Sequence, residues 1–516
     1  MTSMVIIGAG PGGYEAANVA AAGGVDVTVV EETGIGGAAV LTDCVPSKTL
    51  IATAEVTAAL RRAPELGLRQ THKFEVDLDA VNSRVRRLAQ AQSDDIGRGL
   101  ERKGVLLVSG RARLAAGAPG HLHRVIINDD EIIDADIVLL ATGTTPRELP
   151  AARCDGDRIL TWKQVYSMTE IPEHLVVVGS GVTGAEFASA YDSLGCRVTL
   201  VSSRDQVLPG EDPDAARVLQ QVFESRGMQI LSRSRAVSAV RDGDGVVVGL
   251  EDGRTVRGSH VLMAVGSTPN SSDLGLEEVG VAVGPRGHIT VDKVSRTSVP
   301  GIYAAGDCTG VFALASVAAM QGRIAVWHAL GQALQPLDLS LVCSNVFTSP
   351  EIATVGVTQT DVDSGKVHAR STRLDLSTNP RAKMQGIQDG FVKLFCRPAT
   401  GNIIGGVVVS PRASELIHPI SVAVAERIPV DAFQHDFTVY PSLSGSVSEA
   451  ARVTSWCEPA TRHTVRRTPR RIVEGSFWGS IMDQKSSKRA EKSPRPTRPR
   501  PPTASPLMTG SDSYRR

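Results

Sequence analysis

Gly8-Ala9-Gly10-Pro11-Gly12-Gly13 is the stretch on which the fold turns. The apolar run Met4-Val5-Ile6-Ile7 before it reads as a buried parallel strand, and small residues over 14–22 read as a helix. Residues 27–30 supply the next strand, with Glu31 at its carboxyl end, 18 positions beyond Gly13. Strand, glycine turn, helix, strand and acid in this register make a dinucleotide-binding βαβ unit. Gly8 permits the tight turn, Gly10 lets the backbone approach a pyrophosphate, and Gly13 lets helix and strand pack closely. The helix N-terminus then faces phosphates, and Glu31 can accept hydrogen bonds from a ribose.

The pattern recurs. Leu175-Val176-Val177-Val178 runs into Gly179-Ser180-Gly181-Val182-Thr183-Gly184, and Glu186 follows on the helix. An internal repeat of this unit predicts two dinucleotides bound by two related domains. The second strand of the repeat, residues 197–201, ends at Ser202-Ser203-Arg204, so Ser202 stands where Glu31 stands in the first copy. A carboxylate there would repel a 2′-phosphate, whereas Ser202 and Arg204 can donate to one. NADPH is therefore expected to be accepted.

Composition bounds the rest. A chain of 516 residues is too long for one core, so several domains are expected. The formal net charge is +0 and aromatics make up 4%, which points away from a polyanionic partner and from a base-stacking nucleic-acid surface. No run of about 18 apolar residues appears, so no membrane span is expected. The seven cysteines (44, 154, 196, 308, 343, 396 and 457) are scattered and include no CxxC pair. That argues against a disulfide framework or a metal site and for a reducing cytoplasm.

Between the two units, helices are expected over 47–62 and 79–103, and strands over 104–110 and 132–140. The latter strand runs into Ala141-Thr142-Gly143-Thr144-Thr145-Pro146. Residues 261–265 close the second unit at Gly266, and Ile302-Tyr303-Ala304-Ala305-Gly306-Asp307 places an acid at a strand end. Ala313-Leu314-Ala315-Ser316 opens a further helix. From about residue 340 the pattern turns antiparallel, with strands over 345–356, 390–395 and 403–410, then a helix over 413–427 stopped by Pro429. The last residues, 456–516, are rich in Arg, Lys, Pro and Ser and have the composition of a disordered basic tail.

Two fingerprints, the Ala-Thr-Gly crossover, the Gly306-Asp307 pair and the C-terminal region come in the order found in the pyridine nucleotide-disulfide oxidoreductases, and residues 1 to about 452 resemble that family. The lipoamide dehydrogenase-like fold it implies is α/β: two Rossmann-like dinucleotide-binding domains plus an α+β dimerisation domain with an antiparallel sheet. The divisions expected are 1–147 and 271–338 for FAD, 148–270 for NAD(P)H and 339–455 for dimerisation, giving a homodimer. The resemblance implies that Gly8, Gly10, Gly13, Glu31, Gly110, Thr142, Gly143, Asp307 and Ala315 line an FAD site. It places Gly179, Gly181, Gly184, Ser202, Arg204 and Gly266 along NAD(P)H. It also places Lys48 and Glu186 together as the catalytic pair, with Lys48 beside the flavin.

Two departures fall on the chemistry. The segment Gly34-Ile35-Gly36-Gly37-Ala38-Ala39-Val40-Leu41-Thr42-Asp43-Cys44-Val45-Pro46-Ser47-Lys48 resembles the family's redox-disulfide segment, yet Ala39 fills the place of the first cysteine. The family's C-terminal His-Pro-Thr-x-x-Glu motif reads Tyr440-Pro441-Ser442-Leu443-Ser444-Gly445, and a tyrosine is a poor general base at neutral pH. Hydride entry into the flavin needs neither sulfur nor that base. A quinone-like acceptor, reduced without a dithiol relay, is therefore expected. In this the chain resembles the LpdA-type NAD(P)H:quinone reductases of actinobacteria. A soluble transhydrogenase, a single-cysteine peroxidase or oxidase using Cys44, and a non-enzymatic flavin-binding protein remain as alternatives.

Overall fold

Two parallel five-stranded sheets repeat one another in the computed structural model, which describes residues 2–69, 74–117 and 122–456. In the first sheet the order is Ile302–Ala304, Ile137–Leu140, Ser3–Ile7, Asp26–Glu31 and Leu106–Ser109. The second runs Gln229–Leu231, Arg197–Val201, His174–Val178, His260–Met263 and Ile159–Thr161. The central strands Ser3–Ile7 and His174–Val178 carry almost unbroken apolar burial, as strands covered on both faces must. Each sheet is accompanied by a three-stranded antiparallel meander, Ala112–Ala115 to Glu131–Ala135 in one case and Ala236–Asp242 to Thr255–Gly258 in the other.

Where the chain passes between the two sheets, its outgoing and returning segments pair with each other. Thr144–Pro146 and Ser267–Pro269 form a two-stranded antiparallel ribbon. Thr142 Oγ1 donates to the Asn270 carbonyl (2.6 Å), and Asn270 Nδ2 donates back to the Thr142 carbonyl (2.9 Å). The third large sheet is antiparallel, ordered Cys343–Val346, Glu351–Gly356, Ile403–Ser410, Phe391–Cys396 and Arg370–Asp375. The helix Ala413–Ala425 packs on it through Leu416, Ile417 and Ile420, all buried.

Several elements depart from expectation; the helix expected over 79–103 is Leu78–Glu101, and the strand expected over 104–110 is Leu106–Ser109. The strand expected over 132–140 is two strands in different sheets, Glu131–Ala135 and Ile137–Leu140. Asp136 separates them because its carboxylate accepts from the backbone N–H and hydroxyl of Ser3 (2.8 and 2.9 Å). The helix expected from residue 47 begins at Cys44 and is preceded by a short helix, Gly37–Leu41. The helix expected to run to residue 427 ends at Ala425, and Arg427 adopts φ 53°, so the turn comes before Pro429. Residues 457–516, with Cys457 and nearly all of the basic tail, lie outside the described residues; Trp456 ends the last helix, Gly445–Trp456.

Candidate functional site

The two fingerprint turns are built alike. Gly8 (φ 103°) and Gly179 (φ 110°) have left-handed backbones, and a Cβ on either would overlap the carbonyl of Ala141 or Ala264, one residue past the end of the neighbouring strand. A Cβ on Gly13 would overlap the Gly8 carbonyl oxygen, and one on Gly184 the Gly179 carbonyl oxygen. Over Gly10 and Gly181, by contrast, a Cβ would meet nothing within 4 Å. Each turn thus packs its first and third glycine and leaves the middle one facing open space. The helices that follow, Pro11–Ala22 and Val182–Leu194, start with no side-chain cap, as does Ala315–Ala329. The helices Leu78–Glu101 and Pro213–Ser225 are capped by Asp77 and Asp212. Unsatisfied first-turn N–H groups beside open space suit a phosphate or a polar ring edge. The residues present therefore fit dinucleotides.

The strand ends differ. Glu31 Oε2 accepts from the Ala9 N–H (2.6 Å), while Oε1 accepts from the Thr33 N–H and hydroxyl (both 2.7 Å) and the Gly34 N–H (3.2 Å). The acid thereby closes the turn, and Oε2 keeps a lone pair free. Gly110 lies next door, its N–H donating to the Glu31 carbonyl (3.0 Å). Ser202 is fully buried, 2.7 Å from the Ser180 hydroxyl, and its Oγ accepts from the Arg204 N–H (3.1 Å). Its hydroxyl is used inside the fold, and Ser203 and Arg204 are the exposed donors at this end.

Gly34–Gly37 folds over the first turn. The Gly36 N–H donates to the Ala9 carbonyl (2.9 Å) and Ser93 Oγ to the Ile35 carbonyl (2.6 Å), while a Cβ on Gly37 would lie 2.9 Å from Gly10 Cα. This fastening sets where the helix Cys44–Arg62 begins. One turn in, Lys48 Nζ donates to Glu186 Oε2 at 2.8 Å, bridging helices 138 residues apart. Glu186 is 4% exposed, and its Oε1 accepts from the Phe347 N–H (2.9 Å). Lys48 Nζ also sits 4.9 Å from the Phe347 ring centroid, within cation–π reach. Burial works against the Lys48 ammonium, but the charge and hydrogen bond of Glu186 outweigh it and hold the pKa above the usual lysine value. Phe347 is a member of this cluster that the sequence reading missed. Nothing local marks it, because its role comes from a contact across 161 residues.

Burial, and then the neighbouring Asp43, push the Cys44 thiol up to about 11. All six described cysteines are free, and Cys196, Cys308 and Cys396 are buried. Asp307 begins a short 3-10 turn after Ile302–Ala304; burial raises its pKa, opposed by the Thr144 hydroxyl, which donates at 3.5 Å. Gly143 and Gly266 both have left-handed backbones with no neighbour within 4 Å of a Cβ, beside the paired crossover strands. Tyr440 is 81% exposed, between Val439 at 77% and Pro441, with Phe437 fully exposed nearby.

Comparison with known proteins gives a consistent picture. The family model described as pyridine nucleotide-disulphide oxidoreductase matches residues 2–322, and the dimerisation-domain model of the same family matches 342–451. A Mycobacterium tuberculosis protein named NAD(P)H dehydrogenase (quinone) is 54% identical over 461 residues, covering 88% of this chain and 94% of its own. The dihydrolipoyl dehydrogenase of Chlamydia trachomatis is 32% identical over 450 residues, covering 87% of this chain and 95% of its own. The crystal structure of LpdA from Mycobacterium tuberculosis superposes with a TM-score of 0.84 at 54% identity, covering 88% of this chain and 99% of that one.

Proposed function

This chain belongs to the pyridine nucleotide-disulphide oxidoreductase family, and from that premise we propose that it is an FAD-dependent NAD(P)H:quinone oxidoreductase working without a dithiol relay. The observation that carries the reading is an intact Lys48–Glu186 pair beside a segment with one sulfur and no acidic thiol. Bound FAD would supply the two-electron chemistry, taking hydride from NAD(P)H and passing electrons to the acceptor.

The chain's own groups have the following roles in this reading. Gly8, Gly10, Gly13 and the uncapped helix behind them hold the FAD pyrophosphate, with Glu31 on a ribose. Gly110, Thr142, Gly143, Asp307 and the helix opening at Ala315 complete that site. Gly179, Gly181, Gly184 and Gly266 hold NAD(P)H, with Arg204 toward a 2′-phosphate and Ser202 shaping the turn from inside. Lys48 presents an ammonium held by Glu186, whose other carboxylate oxygen is braced by the Phe347 N–H. The divisions 1–147 with 271–338, 148–270 and 339–455 serve FAD, NAD(P)H and dimerisation respectively.

Cys44 does not support a peroxidase. Burial and Asp43 push its thiol up to about 11, so the thiolate that peroxide chemistry needs is disfavoured at neutral pH. A homodimer is supported by the dimerisation match and by the exposed apolar run around Phe437, Val439 and Tyr440. Among the described residues no helix is long and apolar enough to cross a membrane, and the free thiols support a cytoplasmic setting. An anaerobic titration followed by an acceptor screen tests the assignment. NADPH or NADH should bleach the flavin, menadione should restore its colour, and dihydrolipoamide should be inert. Rapid dihydrolipoamide turnover would overturn the reading, and reoxidation by an NAD analogue but not by menadione would replace it with transhydrogenation.

A further inference from the structure

We propose that Asp43 is a general acid of this site and delivers its proton to an oxygen of the quinone being reduced. The inference rests on the quinone reading above and adds the source of a proton. Asp43 occupies the N-cap position of the helix Cys44–Arg62, yet its side chain makes no capping bond. Asp77, Asp212 and Asp338, in the same position on other helices, accept backbone N–H groups, and Asp375, which does not, is engaged by Arg373 instead. Among the described residues the Asp43 carboxylate has neither a hydrogen-bond donor nor an ion-pair partner, and the residue is partly exposed at the start of the helix that carries Cys44 and Lys48. The charged and titratable groups around it are Cys44 and Lys48 on its own helix, Glu186 on the second fingerprint helix, Asp307 after the flavin-sheet strand, Lys163, and the buried phenol of Tyr166, which burial and Asp43 hold protonated.

Burial raises the Asp43 pKa most, Glu186 and Asp307 add to the rise, and Lys48 and Lys163 oppose it. A partly buried carboxylate with no donor to stabilise it is shifted toward its protonated form. The other candidates are less suited. Cys44 is too weak an acid, Lys48 is tied to Glu186, and Asp307 is engaged by Thr144.

The balance of the reaction calls for such a group. NAD(P)H contributes two electrons and one proton as hydride, while a quinone becomes a hydroquinone by gaining two electrons and two protons. One further proton must come from solvent in each turnover. The Asp43 O–H bond breaks and an O–H bond forms on one quinone oxygen as the ring takes up the two electrons that originate in NAD(P)H and that carbonyl's π pair moves onto its oxygen; the proton of the hydride equivalent goes to the other oxygen. Lys48 and Lys163 stabilise the carboxylate left behind, which then takes a proton from water.

The test uses the FAD-loaded enzyme with menadione, with ferricyanide as an acceptor that takes up no proton. Asp43→Asn should slow menadione reduction about a hundredfold, the low end for a general acid, because water remains a competing donor. Ferricyanide reduction should change much less, and Asp43→Glu should recover most of the menadione rate. Infrared difference spectra taken against pH provide a readout independent of turnover. The wild type should show a protonated-carboxyl band persisting above the ordinary aspartate range, and Asp43→Asn should lack it. Equal menadione rates in wild type and Asp43→Asn would overturn the proposal, as would a carboxyl titrating in the ordinary range. A wild type that bleaches with NADPH but passes nothing to menadione would instead overturn the quinone reading, and the proposal with it.

Discussion

Gly8–Gly13 and Gly179–Gly184 meet the same kinds of neighbour: a strand carbonyl at the first glycine, open space at the second and the turn's own carbonyl at the third. Their strand ends do not match. In the first unit Glu31 ties down its own loop through four hydrogen bonds, and in the second a buried Ser180–Ser202 contact leaves Arg204 outside. The comparison separates what a dinucleotide site shares, a packed turn with an open middle, from what distinguishes its occupant, the charge at the rim. A carboxylate at the rim suits a bare ribose, and an exposed guanidinium suits a phosphate.

The most damaging way to break the comparison is to fill the third glycine in each copy. Gly13→Ala should yield protein without bound flavin, since the new methyl overlaps backbone oxygen that cannot move aside. Gly184→Ala should keep its yellow colour and lose reduction by NAD(P)H by at least about a hundredfold, read by anaerobic bleaching. If both variants lost flavin equally, the two turns would not be independent sites. Next in size is the contact joining the two units. Glu186→Gln removes the charge that holds Lys48 and should slow flavin reduction by about ten- to a hundredfold in stopped flow, as expected for a lost charge-assisted bond.

Arg204→Ala sharpens the contrast at the rim. KM for NADPH should rise about tenfold, equivalent to about 1.4 kcal/mol, with KM for NADH nearly unchanged. An equal effect on both nucleotides would mean that Arg204 does not meet the 2′-phosphate. The smallest effect should come from Cys44→Ser, with menadione turnover within about twofold of wild type. In the wild type, alkylation of this thiol should remain slow at neutral pH and accelerate only as pH approaches about 11, because burial and Asp43 disfavour the thiolate.

Much of this was legible in the chain. The glycine turns, the central strands and the Lys48–Glu186 pairing could be read because they depend on local steric rules and on motif order. The split at Asp136 was not, since an apolar run looks the same whether it serves one sheet or two. Ser202 was read as a donor toward a 2′-phosphate, but its hydroxyl turns inward to Ser180 across the turn, a contact that the chain order does not reveal. Phe347 gave no signal, because a backbone N–H is chemically alike at every non-proline position and gains meaning only from what it faces.

The sequence by itself determined that two dinucleotide turns exist, that one sulfur of the family's pair is replaced by Ala39, and that Tyr440 and Gly445 replace its proton-handling residues. Those facts are matters of residue type and spacing. Only the tertiary structure decided that Glu31 closes its own loop, that Phe347 braces Glu186, and that the Asp43 carboxylate has no partner among the described residues. Burial and hydrogen-bond geometry arise between segments far apart in the chain, and these set the acidity of Cys44 and Asp43.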